Sequence, residues 1–221
     1  MNLHAVCHTC KHQHLLEPGG VEYGWAAWME KHIGHDVALI PSHENWQGYQ
    51  HNADAYPSYL ASSNLTVTNL HSIATSATWV AGWTGPIIDN TGAAPRAADF
   101  RLTAKITVAA AGLAAGEIRL YLIDMLDDTN WPDIYSAGTE GTEGTATFID
   151  TEIRNAFQIA DVVTTDTTAS RVYPLRCPSV AAVFGGNIPH KFFPFICHST
   201  GANLAASGNQ VTVKGTYFTI A

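Results

Sequence analysis

In Phe100-Arg101-Leu102-Thr103-Ala104-Lys105-Ile106-Thr107-Val108 an apolar side chain stands at every second position, with a polar one between. A period of two suits a strand with one face on a core and the other in water. Ile118-Arg119-Leu120-Tyr121-Leu122 continues the pattern, and the run from Val211 to Ile220 reads as a final strand. Strands are expected at Leu65–His71, Trp79–Trp83, Phe100–Ala109, Glu117–Leu126, Thr145–Asp150, Arg171–Arg176, Val180–Phe184, Phe192–Cys197 and Gln210–Ile220. Ala109 to Gly116, with small residues and two Gly, reads as a hairpin. Thr151–Ile159 is the one competing helix, placed over a sheet edge. The expected fold class is mainly β: an antiparallel jelly-roll-like sandwich over residues 64–221.

Residues 1–50 have a different character. They hold seven of the eleven His and lack the Thr-rich alternation. Val21, Trp25, Trp28, Met29 and His32 recur at spacings of three and four, which predicts a helix from Val21 to His32. Gly34 suits its left-handed C-cap, and Val37 to Ile40 reads as a short strand ending at Pro41. Residues 51–63, with Tyr56-Pro57 and several Ser and Asn, read as a connector.

The chemistry concentrates in this first part. Cys7-x-x-Cys10 is followed by His32-x-x-His35. Two thiolates and two imidazoles make a tetrahedral donor set for Zn2+. Four protein ligands close the shell, so the metal is expected to be structural. About 45 residues scarcely fold without such a staple, giving a small zinc-stapled α/β module. His8, His12 and His14 are alternative ligands, and free thiols in a His-rich leader are the simpler alternative. Glu17 and Glu30 could serve as bases beside an open metal, but each reads better as a solvated charge. His43, Asn45, His51 and Asn52 lack the spacing of a ββα-metal nuclease.

Elsewhere the bland readings prevail. Asp124, Asp127, Asp128 and Asp133 could bind calcium but read as a solvated turn with Trp131 over it. Trp79, Trp83 and Trp131 could stack on a sugar but read as core. Gly185-Gly186 is a turn without the Lys-Ser/Thr of a phosphate loop. His190 and His198 read as hydrogen-bonded structural residues, and Cys177 and Cys197 as packed thiols of a reducing compartment. The Gly-Thr-Glu repeat from Gly138 to Thr145 reads as an exposed, mobile connection. No catalytic set emerges, so no enzyme activity is expected.

Charge narrows the partners. The net charge is −8 with His neutral, and no basic stripe runs along the chain. Nucleic acid is therefore not an expected partner. No apolar run approaches the ~20 residues of a membrane-spanning helix, so no membrane is expected. Met1 to Cys7 lacks a basic region followed by an apolar stretch, so no signal peptide is expected.

Residues 99–221 resemble the β-sandwich virion proteins of tailed bacteriophages. The likeness rests on Arg101 to Val108, Gly116 to Ile123, Phe195-Ile196-Cys197-His198-Ser199-Thr200-Gly201, Leu204-Ala205-Ala206-Ser207-Gly208-Asn209 and the final strand. Separately, residues 7–37 look like the Cys-x-x-Cys…His-x-x-Gly-His segments of small phage proteins, through Trp28 to Asp36. The resemblance implies a structural role in a virion. It would be a capsid decoration (cement) or minor head protein bound to the major capsid protein or other virion proteins, as a homo-oligomer with a trimer favoured. A tail or baseplate component with a receptor- or carbohydrate-binding sandwich is the alternative.

The zinc staple makes a prediction. Replacing Cys7→Ser together with Cys10→Ser should make residues 1–50 sensitive to limited proteolysis and leave the sandwich protected. A double variant as resistant as the parent would remove the zinc.

Overall fold

The computed structural model describes residues 3–7, 13–16, 37–41, 55–92, 95–127, 129–132 and 142–220. The chain falls into two compact units, residues 1–54 and 55–221. The first contains strands β1 (Leu3–Cys7), β2 (Gln13–Leu16) and β3 (Val37–Pro41). They form an antiparallel sheet in the order β2-β1-β3. Cys7 closes β1 and stands opposite Val37, the first residue of β3. The expected helix from Val21 to His32 lies outside the described residues.

The second unit contains β4 (Ala55–Tyr59), β5 (Ser63–Asn64), β6 (Ala81–Thr84), β7 (Ile88–Asp89), β8 (Asp99–Thr107), β9 (Gly116–Asp124) and β10 (Gly144–Thr147). Helix α1 (Asp150–Ala156), β11 (Gln158–Thr165), β12 (Val172–Cys177), the single helical turn α2 (Val180–Val183), β13 (Lys191–His198) and β14 (Gln210–Ile220) follow. Two antiparallel sheets pack face to face. One runs β12-β8-β14-β4, with β5 also on β14; the other runs β10-β6-β13-β9-β11, with β7 also on β13. The pairings are nested: β4 with β14, β6 with β13, β8 with β12, and β9 with β11. Successive pairs in that series fall in alternate sheets.

Alternation fills the space between the sheets. Leu102, Ala104 and Ile106 of β8, Val211 and Val213 of β14, and Tyr173, Leu175 and Cys177 of β12 point inward from one sheet. Trp83 of β6, Ile118, Leu120 and Leu122 of β9, and Phe192 and Ile196 of β13 meet them from the other. A second apolar cluster lies on the far side of the β13 sheet. There Tyr121, Ile123, Phe193, Phe195 and Cys197 pack with Ala146, Phe148, Phe157 and Ile153 of α1. Phe148, Phe157 and Phe195 meet edge to face, with centroids 4.9 to 5.4 Å apart, the geometry their quadrupoles favour. Residues 192–198 are accordingly all buried.

Pro194 lies inside this central strand, where a missing N–H is normally costly. The chain answers by breaking the neighbouring strand. β6 ends at Thr84 opposite Phe195, and β7 resumes at Ile88 opposite Phe192. In the gap, the Pro194 carbonyl accepts from the Gly85 N–H at 2.8 Å. A Cβ on Gly85 would stand 2.7 Å from the Pro194 ring, so the close approach requires glycine. Both edges of the other sheet also carry a proline, Pro57 in β4 and Pro174 in β12.

Several expectations are corrected. Ala109–Gly116 is not a hairpin, because β8 and β9 lie in different sheets and the segment crosses between them. Val180–Phe184 is helical because Ser179 caps the Ala182 N–H at 3.0 Å and Asp99 accepts from the Ala181 N–H at 2.9 Å. Leu65–His71 contains a 3-10 turn at Thr68–Leu70, since the Asn69 N–H donates to Glu143 instead of to a strand. Helix α1 stops at Ala156, and Ile159 is the second residue of β11, which begins at Gln158. Residues 51–63, read as a connector, include β4 and the first residue of β5.

The two-sided burial of β13 sets an expected stability pattern. Phe195→Ala should cost about 3–5 kcal/mol by urea unfolding, against less than about 0.5 kcal/mol for Phe218→Ala on the exposed face.

Candidate functional site

The two sheets differ in what covers them. The β13 sheet has its outer face under α1 and the aromatic cluster. On the other sheet the outward positions are Arg101, Thr103, Lys105 and Thr107 of β8, Val172, Pro174 and Arg176 of β12, and Gln210, Thr212, Lys214, Thr216 and Phe218 of β14. Arg101, Lys105, Arg176 and Lys214 are all exposed. Among the described residues, none of the four is in an ion pair.

Register turns these residues into one patch. Lys214 stands directly opposite Arg101. Thr103 stands between Thr212 on one side and Arg176 on the other. Lys105 lies between Gln210 and Pro174. A groove of about 390 Å³ follows this surface, lined by Arg101, Thr103, Lys105, Arg176, Gln210 and Thr212. A second hollow of about 380 Å³ adjoins it at Tyr59, Arg101, Pro178, Lys214 and Thr216. There the Lys214 ammonium sits 4.8 Å from the Tyr59 ring centre. The sequence reading found no basic stripe because this one runs across strands. Arg101 and Lys105, four apart on one strand, were its only linear trace.

Two carboxylates, on β8 and β11, bond to backbone N–H groups. Asp99 accepts from the Phe100 and Ala181 N–H groups at 2.7 and 2.9 Å. Asp161 accepts from the Arg176 N–H at 2.6 Å and the Val162 N–H at 2.9 Å.

Of the zinc ligands expected from the sequence, Cys7 alone falls among the described residues. Cys7 is the last residue of β1; Cys10, His32 and His35 lie outside the described residues. So do His8, His12, Glu17, Glu30, His43, Asn45, His51 and Asn52, while His14 pairs with Ala5 in the first sheet. Among the described residues, no three His, Cys, Asp or Glu side chains converge as a metal site.

The three Trp do not form one platform. Trp83 is wholly buried. Trp79 adopts φ 67°, and its ring lies 3.7 Å from the Arg119 guanidinium, which also forks onto Glu117. Trp131 packs on Phe193 at 5.2 Å. In the acidic turn, Asp127 accepts from the Thr129 and Asn130 N–H groups at 2.7 Å each, and Asp128 and Asp133 lie outside the described residues. Cys177 and Cys197 are buried free thiols, and burial pushes them up to about 11 and about 12.

One residue was missed altogether. Glu143, in a segment read as an exposed connection, accepts from the buried Trp83 indole N–H at 2.7 Å and from the Asn69 N–H at 2.6 Å. Its other oxygen takes the Asn69 side chain at 2.7 Å. Beside it lies a polar hollow of about 400 Å³ whose lining includes Thr68, Asn69, His71, Ser72, Thr145 and Thr147.

No family model matches this sequence, and a search of curated proteins finds no significant relative.

His198 fits its structural reading and adds a pH dependence. It is wholly buried, with Nε2 at 3.2 Å from the Ile73 carbonyl and Nδ1 at 3.0 Å from the Thr200 hydroxyl. A carbonyl only accepts, so Nε2 carries the proton of the neutral ring. Burial holds the imidazole below its ordinary 6.5. The unfolded chain therefore takes up a proton that the folded one refuses, and stability falls as pH drops below that value. Urea midpoints measured from about pH 7.5 to about 5.5 should fall less steeply for His198→Gln than for the parent. Equal slopes would contradict the neutral ring.

Proposed function

We propose that this chain is a structural protein of a phage virion, a capsid decoration (cement) protein that binds and stabilises the shell. The single observation that carries the proposal is the asymmetry of the sandwich. Among the described residues, α1 and the aromatic cluster cover the outer face of one sheet, and nothing covers the other, which is regular and cationic. Such a face suits lasting contact with a partner better than turnover of a small substrate. The resemblance of residues 99–221 to phage virion sandwiches supports the same reading.

The nested pairings support a jelly roll. Setting β5, β7 and β10 aside, β4-β14-β8-β12 and β6-β13-β9-β11 are the orders obtained by wrapping one antiparallel ribbon into two sheets. Viral capsid and lectin domains use this architecture. In the first unit, Cys7, Cys10, His32 and His35 would hold a structural zinc, supplying the staple a small module needs. The register of Cys7 with Val37 favours it, since the chain leaves towards Cys10 and returns from His35 at one end of that sheet. Self-association as a trimer would shield exposed edge residues such as Ile159 and Val162 of β11. The protein would then reside in the virion after assembly in the host cytoplasm. Bound copies would stabilise the shell by mass action.

The second reading is a tail or baseplate component with a carbohydrate-binding sandwich. The uncharged hollow rich in hydroxyl and amide groups beside Glu143 favours it.

Cross-linking mass spectrometry on purified particles carrying the chain tests the two. Links from Lys105 and Lys214 to the major shell protein are expected. Links confined to tail proteins would favour the second reading, and absence of the chain from purified particles would overturn both.

A further inference from the structure

The bare sheet face says more about what it meets. We propose that the outer face of β12-β8-β14 docks a carboxylate-rich patch on another protein, with Thr103 at the centre of the footprint. The proposal rests on reading the chain as a contact protein and names the chemistry of its partner.

The first argument is unrelieved like charge. Arg101 and Lys214 are direct cross-strand partners. Like charges in that position destabilise a sheet unless something anionic lies between them. Neither Asp99 nor Asp161 is in an ion pair with them, each carboxylate bonding instead to backbone N–H groups. An outside carboxylate would convert this repulsion into two charge-assisted hydrogen bonds.

The second argument is the arrangement around Thr103. Arg101 and Lys105 flank it at two positions either way along β8. Arg176 stands opposite on β12 and Thr212 opposite on β14. Cations on three sides surround the Thr103 hydroxyl, which can donate to a carboxylate oxygen; the Thr212 hydroxyl donates to Asn64 Oδ1 at 2.9 Å. The groove over them lies across an exposed sheet face, suiting protruding Asp or Glu side chains better than an enclosed ligand. The threonines have little rotamer freedom to lose on docking.

The third argument excludes competitors by charge. A two-fold dimer through this face would set cations against cations. A polynucleotide longer than the patch would carry its phosphates onto a molecule of net charge −8. A cluster of protein carboxylates ends where the patch ends. Complementarity of this kind governs encounter rate and register more than raw affinity.

The test uses the full chain and a 15-residue poly-L-glutamate probe, with a 15-nucleotide oligothymidylate in parallel, followed by calorimetry at low and moderate salt. Poly-L-glutamate should bind more tightly than oligothymidylate. Its affinity should fall at least about tenfold with Arg101→Gln plus Arg176→Gln, and fall with added salt. Arg96→Gln, which removes one positive charge on an exposed loop elsewhere, should change it little. No binding of poly-L-glutamate, equal loss with Arg96→Gln, or tighter binding of oligothymidylate would each overturn the proposal. Both variants change exposed side chains, and an unchanged urea midpoint confirms that they fold. Binding to shells separates this proposal from the reading beneath it. If the double variant decorates shells as well as the parent, the docking face is wrong and the cement role stands. If poly-L-glutamate binds as expected but the chain does not associate with shells, the docking chemistry stands and the cement role falls.

Discussion

Strand β13 has core on both faces, and the second unit is arranged around that fact. Phe192 and Ile196 enter the space between the sheets, while Phe193, Phe195 and Cys197 enter the outer cluster. A strand wetted on neither side needs a cover on each. The second sheet supplies one, and α1 with Phe148 and Phe157 supplies the other. Pro194 then dictates the break between β6 and β7, and the break explains the close approach at Gly85. The helix side of the sandwich is thereby spent on stability, while among the described residues the outer face of β12-β8-β14 carries no such cover.

The sequence disclosed the first layer of this and hid the second. The alternation at Phe100–Val108 made β8 legible, and the closing strand was legible from Val211 onward. β9 and β13 carry apolar residues on both faces, so their strands could be read but not what covers them. Their cover comes from Phe148, Ile153 and Phe157, remote in sequence from β13. Two misread segments were decided by side chains bonding to backbone: Asp99 on the Ala181 N–H, and Glu143 on the Asn69 N–H. Neither bond has a periodic signature.

The candidate face was hidden for a related reason. Its cations come from β8, β12 and β14, separated in sequence by tens of residues and joined only by register. A scan for basic runs sees isolated Arg and Lys in an acidic chain. The Cys and His motif of the first fifty residues is the opposite case. Its spacing is read along the chain alone, and Cys10, His32 and His35 lie outside the described residues.

The nesting of the strands has a further consequence, for how the unit is made. Its first strand, β4, finds its partner only in β14, and β8 needs the same strand on its inner flank. Contacts of such long sequence separation are slow to form. During synthesis from the N-terminus, the β12-β8-β14-β4 sheet cannot close until its final eleven-residue strand has left the ribosome. Until then the edges of β4 and β8 stand open among other nascent chains. Pro57, which withholds a backbone N–H in β4, then acts as protection for the newborn polypeptide as well as for the finished fold.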